Sequence, residues 1–338
     1  MLIKKSYEYL KQIITENYLY LLFMLVLVAT CTYPLPYYIY NGGGLIDVNS
    51  KIDFNGKTKS SGSYNMCYVS EIRATIPSYL YSLFRSDWEK IKIKDVTISD
   101  NETAKDVSLR DKIYLNSSNI SAVFNAFKYA DKDIKIISNH PQVVYIMENA
   151  NNDFKIGDEI ISINDELVNS RDDISLILDK YNINDKVSVK VINNGKDYTR
   201  YAYIIKEDNR KLLGISIEDK INIKTDPVIN FNFNNSESGP SGGLILSLAL
   251  YDYLVADDIT KGLKVSGTGT IDNDGNVGEI GGVKYKLAGA VKSKADIFFV
   301  PNGENYQEAI KLKKENGYKI TVVGVSSFTD AINYLINR

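Results

Sequence analysis

Ile229, Phe231 and Phe233 alternate with Asn230, Asn232 and Asn234, and residues 244–255 then form an almost unbroken apolar run. The first pattern, with its period of two, predicts a half-buried strand; the second predicts a buried helix of about three turns. Between them stands Ser236-Glu237-Ser238-Gly239-Pro240-Ser241-Gly242-Gly243, a Gly/Pro turn that delivers Ser241 to a helix N-terminus. Upstream, residues 45–54 alternate as a strand, Asn55-Gly56 is a hairpin turn signal, and residues 64–75 are the expected partner. A helix from Pro77 carries Tyr79, Leu80, Leu83, Phe84 and Trp88 on one face. Another, over 117–130, repeats apolar residues at Ile120, Val123, Phe124 and Phe127. Both stripes read as core.

Residues 132–206 form a segment of their own. A strand over 143–147 precedes the turn Ile156-Gly157-Asp158-Glu159, a strand, and a second turn ending at Asn164-Asp165. A helix over 172–181 and two strands meeting at Asn194-Gly195 complete it. Residues 206–210 are a charged linker, and a strand over 212–217 is expected to open the last domain. There, strands over 263–271 and 276–280 flank Asn273-Asp274-Gly275, and a helix runs from Lys284 through Ala295. Strands over 296–300 and 319–323 then alternate with helices, the last starting at Ser327 with Asp330 as its capping partner. The class is mixed, α+β with an α/β pattern in the last third.

The N-terminus departs from this. Residues 17–46 contain no charge, and 18–33 are strongly apolar. A helix over 18–40 would be about 34 Å long at ~1.5 Å per residue, enough to cross a bilayer. Lys4, Lys5 and Lys11 precede it and the next cation is Lys51, which places the N-terminus in the cytoplasm and the rest outside. Tyrosines at 18, 20, 33 and within 37–40, where Ile39 interrupts them, are placed like interfacial anchors. A cleaved signal peptide is the rival, but tyrosines and two prolines follow the apolar run where small residues belong. An uncleaved signal anchor fits better.

Composition changes the picture mainly by exclusion. With 338 residues, 44% hydrophobic and 24% charged, the chain has material for two domains and their cores. A net charge of -2 offers no general attraction to nucleic acid. Two cysteines, Cys31 and Cys67, and one histidine, His140, exclude a disulfide framework and the usual zinc spacings. Gly56-Lys57-Thr58 lacks the glycine a phosphate loop needs five positions earlier, where Lys51 stands. No metal, cofactor or nucleotide is therefore expected.

A serine at a helix N-terminus has N–H groups and a dipole to stabilise developing negative charge, and it needs a base to become a nucleophile. A Ser-His-Asp triad has one candidate histidine, about a hundred residues away. A lysine kept neutral by burial is the substitute. Lysine titrates near ~10.4, so working near neutrality needs a shift of about 3 units, or roughly 4 kcal/mol.

Gly239-Pro240-Ser241-Gly242-Gly243, Thr268-Gly269-Thr270 and Gly281-Gly282-Val283-Lys284-Tyr285-Lys286, in that order, resemble the Ser-Lys dyad motifs of Lon-type serine peptidases over roughly residues 211–338. The 43 residues from Ser241 to Lys284 agree with the family's spacing. The resemblance implies Ser241 as nucleophile, Lys284 as base and Thr268 as the group orienting the amine, with N–H groups around Gly239, Pro240 and Ser241 as oxyanion donors. Lys286, two positions on and pointing to another side of the helix, is the second choice. Gly242 stands where many relatives carry alanine, and Ser238 where ATP-driven members carry aspartate. The Gly-Asp-x-Ile-x-x-Ile-Asn core of 132–206 looks like a bacterial PDZ domain, which implies a peptide groove along Val143, Val144, Tyr145 and Ile146.

The expectation is thus a membrane-anchored, PDZ-containing Lon-like protease of the bacterial cell membrane. Its parts are a cytoplasmic stretch (1–17), a signal anchor (18–40), the N-terminal part of the catalytic unit (41–131), a PDZ domain (132–206) and the proteolytic domain (207–338). Its partners are polypeptide substrates and the membrane, with neither nucleic acid nor nucleotide; self-association as a homo-oligomer stays open. The rival is a membrane-tethered PDZ adaptor or scaffold without activity.

Overall fold

The computed structural model describes residues 2–53, 60–85, 87–99 and 102–338. The Asn55-Gly56 turn and the Gly56-Lys57-Thr58 segment lie outside the described residues. The chain divides into two compact units, one made of residues 1–42 and 70–96, the other of 43–69 and 97–338.

In the first unit, helix α1 (Leu2–Thr32) kinks at Asn17. Its segment Ser6–Thr32, 27 residues, is long and apolar enough to cross a membrane. The helix expected over 18–40 therefore starts earlier and stops sooner. Pro34 and Pro36 supply no N–H to an α-helical ladder, and Pro34–Asn41 is instead a strand, paired antiparallel with Ser70–Thr75 on one side and Glu89–Lys92 on the other. Tyr37, Tyr38 and Tyr40 belong to this sheet rather than to a spanning helix. Helix α2 (Ile76–Ser82) carries Pro77 in its first turn and a capping box between Thr75 and Ser78. It is shorter than expected, and Trp88 lies beyond it.

The expected hairpin is split accordingly. Leu45–Asp47 does pair with Ser63–Cys67, but Ser70–Thr75 joins the first unit. In the second unit, helix α3 (Ala104–Tyr129) starts at a Thr103/Asp106 capping box and extends well upstream of the expected 117–130.

A six-stranded sheet comes next, in the order Lys196–Tyr203, Lys186–Asn193, Glu159–Ile163, Ile134–Ile146, Ile215–Thr225, with Glu166–Leu167 beside Glu159–Ile163. Helix α4 (Arg171–Leu178) packs on it through Ile174, Ile177 and Leu178, against Val143, Ile160, Ile163, Val187 and Val189. Two expectations are corrected here. Residues 212–217 do not open the last domain; Ile215–Thr225 pairs with Ile134–Ile146 and completes this sheet. For the same reason Val143, Val144, Tyr145 and Ile146 line no open groove. Tyr145 and Ile146 pair with Ser216 and Ile215, and Val143 N–H donates to the carbonyl of Asp158. A strand with both edges engaged cannot accept a peptide as a new strand.

Beyond this sheet, helix α5 (Gly243–Leu254) is the predicted apolar run, with Leu244, Ile245, Leu246, Leu248 and Leu250 fully buried. Each such side chain is worth about 1.5–3 kcal/mol of transfer free energy. Phe231 and Phe233 alternate in burial with their asparagines as the pattern requires, but among the described residues only Asn230–Phe231 makes a ladder, with Ile52–Asp53. The central sheet runs Leu45–Asp47, Ser63–Cys67, Lys264–Gly267, Ile297–Pro301, Thr321–Val325, parallel except for its first pair. Two of its strands precede the six-stranded sheet in sequence and three come after it. Helices α6 (Val283–Lys292), α7 (Glu304–Glu315) and α8 (Phe328–Ile336) complete the unit, the last with the Ser327/Asp330 box.

The Gly157-Asp158 turn is held by a buried charge. Asp158, fully buried, accepts from Arg200 Nε at 2.8 Å and Nη2 at 3.2 Å, from Asn193 Nδ2 at 2.6 Å and from Lys155 N–H at 2.8 Å. Asp158→Ala strips four donors at once, and we expect it to cost about 3–5 kcal/mol. Urea midpoints of wild type and variant measure this; a loss below about 1 kcal/mol would mean that water replaces the carboxylate.

Candidate active site

Ser241 lies in the turn just before α5, and its carbonyl is doubly fixed. The Gly269 N–H donates to it at 2.8 Å and the Thr268 hydroxyl at 3.0 Å. The preceding residues are tied down from several directions. Ser118 Oγ of α3 donates to the Pro240 carbonyl at 2.9 Å, and the Gly239 N–H donates to the Asp111 carbonyl at 3.0 Å. Glu237 pairs with buried Lys51 at 2.7 Å and accepts the Asn234 N–H at 2.6 Å. Gly239 sits at φ +89°, where a side chain would be strained. Its N–H is committed to Asp111 and Pro240 has none, so neither supplies an oxyanion donor; their part is to shape the turn.

Thr268 follows the strand Lys264–Gly267 and is fully buried. Its oxygen accepts from Lys286 Nζ at 3.1 Å. Lys286 is 5% exposed, and burial holds its ammonium below the ordinary lysine value, at about 8. A charged Cys67 would pull the other way, but burial pushes that thiol up to about 12, so it carries no charge near neutrality. Burial is what acts on the lysine.

Lys284 goes elsewhere. It is exposed, with Nζ 5.5 Å from the ring centre of Tyr285. The expectation that Lys284 would be the buried amine beside Thr268 is corrected: that residue is Lys286. The reason is helical phase. Val283, Leu287 and Ala290 are the α6 residues that enter one apolar core, and Lys286 lies beside them, three residues after Val283, whereas Lys284 is turned about 100° from Val283 and is exposed. That face was available in the sequence. Lys51, Glu237, Asp111 and Ser118 had no comparable signal, since their contacts join distant segments. Gly242 now has an explanation: a Cβ there would lie 2.7 Å from Met66 Sδ, which fills the space of an alanine methyl. His140 is remote from this constellation in its contacts, with Nδ1 3.4 Å from the Val168 carbonyl.

Residues 234–338 match the family model described as the Lon protease (S16) C-terminal proteolytic domain. The Lon protease of Aster yellows witches'-broom phytoplasma is 32% identical over 97 residues, 29% of this chain and 12% of the relative. That of Campylobacter jejuni is 29% identical over 126 residues, 36% of this chain and 16% of the relative. The chain thus spans about a sixth or less of the length of these curated relatives. The matched part supports a serine peptidase, a hydrolase. Among solved structures, the PDZ domain of an SdrC-like protein from Listeria monocytogenes aligns at 13% identity and a TM-score of 0.22, over 25% of this chain and 92% of that one. A score that low bears no weight.

A lysine with a depressed value costs stability. Between pH 8 and 10.5 the unfolded chain binds the proton that folded Lys286 has lost, so stability rises with pH across that window and the full cost is present below it. Lys286→Met should therefore stabilise the chain at pH 7 by up to about 3 kcal/mol, and the gain should shrink by pH 10. Thermal midpoints of both proteins in mild detergent at the two pH values measure it. An unchanged difference would mean the amine is solvated.

Proposed function

We propose that this chain is an ATP-independent serine endopeptidase that uses a Ser241–Lys286 dyad on secreted or membrane-proximal polypeptides outside the cell membrane. One observation carries the reading: a buried lysine amine is hydrogen-bonded to Thr268, whose own proton goes to the carbonyl of Ser241. Ser241 Oγ attacks the peptide carbonyl while neutral Lys286 takes its proton, then returns it to the departing amine. Water repeats the sequence on the acyl-enzyme. Thr268 orients the amine, and the N–H groups of Ser241 and Gly242 stabilise the oxyanion, since those of Gly243 and Leu244 donate to the Pro240 and Gly269 carbonyls.

The absence of a phosphate-loop motif supports independence from nucleotide, and the lysines at the start of α1 support an outside location for the chain beyond that helix. The six-stranded module, with its Gly157-Asp158 and Asn164-Asp165 turns, supports a PDZ-like role in docking substrate. Strand addition in it would use the outer edge of Ile215–Thr225, the terminal strand of the sheet.

Purified full chain is expected to cleave an unfolded polypeptide without nucleotide. Ser241→Ala and Lys286→Ala should each lose on the order of 10³-fold in kcat/KM, and Lys284→Ala should stay near wild type. The wild-type kcat/KM should rise with pH through an apparent value near 8, as Lys286 loses its proton. Activity surviving in Lys286→Ala but not in Lys284→Ala would overturn the choice of base. A wild type that neither cleaves nor takes up a fluorophosphonate at Ser241 would leave the adaptor reading.

A further inference from the structure

The first unit exposes more apolar surface than its small sheet can account for. Leu80, Tyr81, Leu83 and Phe84, on α2 and the turn after it, are 52, 51, 56 and 86% exposed. Trp88 is half-buried beside them, its ring 5.1 Å from that of Tyr81. Another side of α2 is occupied, with the Tyr79 ring tilted at 51° to that of Tyr37, 5.2 Å between centres, and Lys90 Nζ 5.9 Å from the Tyr79 ring centre. Four large apolar side chains within five residues form a patch, not scattered exposure.

The surroundings say what covers it. Helix α2 packs against α1, the helix among the described residues long and apolar enough to cross a membrane. The chain leaves α1 at Thr32 and enters the sheet beneath α2 two residues later. The patch combines leucine and phenylalanine with tyrosine and tryptophan, the mixture suited to a boundary where one end is apolar and the other wet.

We propose that α2 and the turn after it form a second membrane contact, with Leu80, Tyr81, Leu83 and Phe84 entering the headgroup–acyl boundary beside the point where α1 emerges. This rests on reading α1 as a span. Trp88 then lies at headgroup depth. The contact is apolar rather than electrostatic: Arg73, Arg85, Lys90, Lys92 and Lys94 are nearly balanced by Glu71, Asp87, Glu89 and Asp95. Arg85 is moreover gripped by Asp87 at 2.8 and 2.7 Å. Anionic lipid should add little. Two points of attachment fix the rotation and tilt of α1 in a way that one span cannot.

Trp88 is the chain's one tryptophan, which makes the test direct. The full chain is reconstituted in phosphatidylcholine vesicles brominated near the glycerol end or near the middle of the acyl chain. Quenching of Trp88 should be several-fold stronger for the shallow bromines and unchanged by added phosphatidylserine or salt. Phe84→Asp with Leu83→Asp, both at exposed positions, should lose that quenching while circular dichroism and the thermal midpoint stay as in wild type. Alkaline carbonate separates the two readings. If the chain washes off the vesicles, α1 is not a span and the premise fails. If it stays integral but Trp88 ignores both lipids and is quenched by iodide, the patch faces water and the proposal is wrong. Unquenched emission with a change of oligomeric state in the double variant would assign the patch to a second copy instead, and equally overturn it.

Discussion

A threonine hydroxyl has one proton to give, and Thr268 gives it to the carbonyl of Ser241. Toward Lys286 it can only accept, so the amine must donate, and a neutral amine that donates there keeps its lone pair for another direction. This single hydroxyl therefore couples the backbone of the serine turn to the polarity of the buried amine. Thr268→Val would preserve shape and remove both hydrogen bonds, whereas serine would keep them. The Gly269 N–H makes the arrangement stiffer by taking a second place on the same carbonyl.

The amine is set apart by being badly solvated, which is what holds its value low. Val283, Leu287 and Ala290 shape a face that belongs to a hydrophobic core, and Lys286 interrupts it with a group that core would otherwise exclude. The serine turn shows the opposite pattern. Lys51 with Glu237, Asp111 with Gly239, and Ser118 with Pro240 each satisfy a polar group while holding one part of the loop. Stability is given up at the proposed base and regained around the proposed nucleophile, a division common at sites that must be preorganised.

How much of this was legible depends on the range of each interaction. The α5 run, the Ser241 turn, the Gly157-Asp158 turn and the Ser327/Asp330 box are local patterns, and all appear where the residues predict them. Spacing chose Lys284 by counting 43 residues from Ser241, but a residue count ignores helical phase, and phase is what burial obeys. The errors in the strands have a different origin. Periodicity identifies a strand without naming its partner, so nothing local revealed that Ile215–Thr225 closes over Tyr145 and Ile146, or that Ser70–Thr75 pairs with Pro34–Asn41. The prolines at 34 and 36 did carry the end of α1, and overall hydropathy concealed it.

The parallel sheet explains why the site lies where it does. Along Ser63–Cys67, Met66 faces the core built on α5 and Cys67 the core built on α6; along Ile297–Pro301, Phe299 and Phe298 divide in the same way. The helix that follows Ser241 and the helix that bears Lys286 therefore pack on opposite faces of one sheet. Groups on opposite faces can meet only past the end of a strand, and Thr268 is the first residue beyond Lys264–Gly267. Parallel strands leave such a crevice at their carboxyl ends, where the chain must turn to reach a helix. Gly267, just before it, has no room for a side chain: a Cβ there would fall 2.7 Å from the Phe299 carbonyl oxygen and 2.9 Å from Ile245. Any larger residue would push apart the α5 core and the neighbouring strand at the level of Thr268. The placement of a serine and a lysine far apart in sequence thus reduces to one topological fact, that a five-stranded sheet with helices on both faces has a common exit.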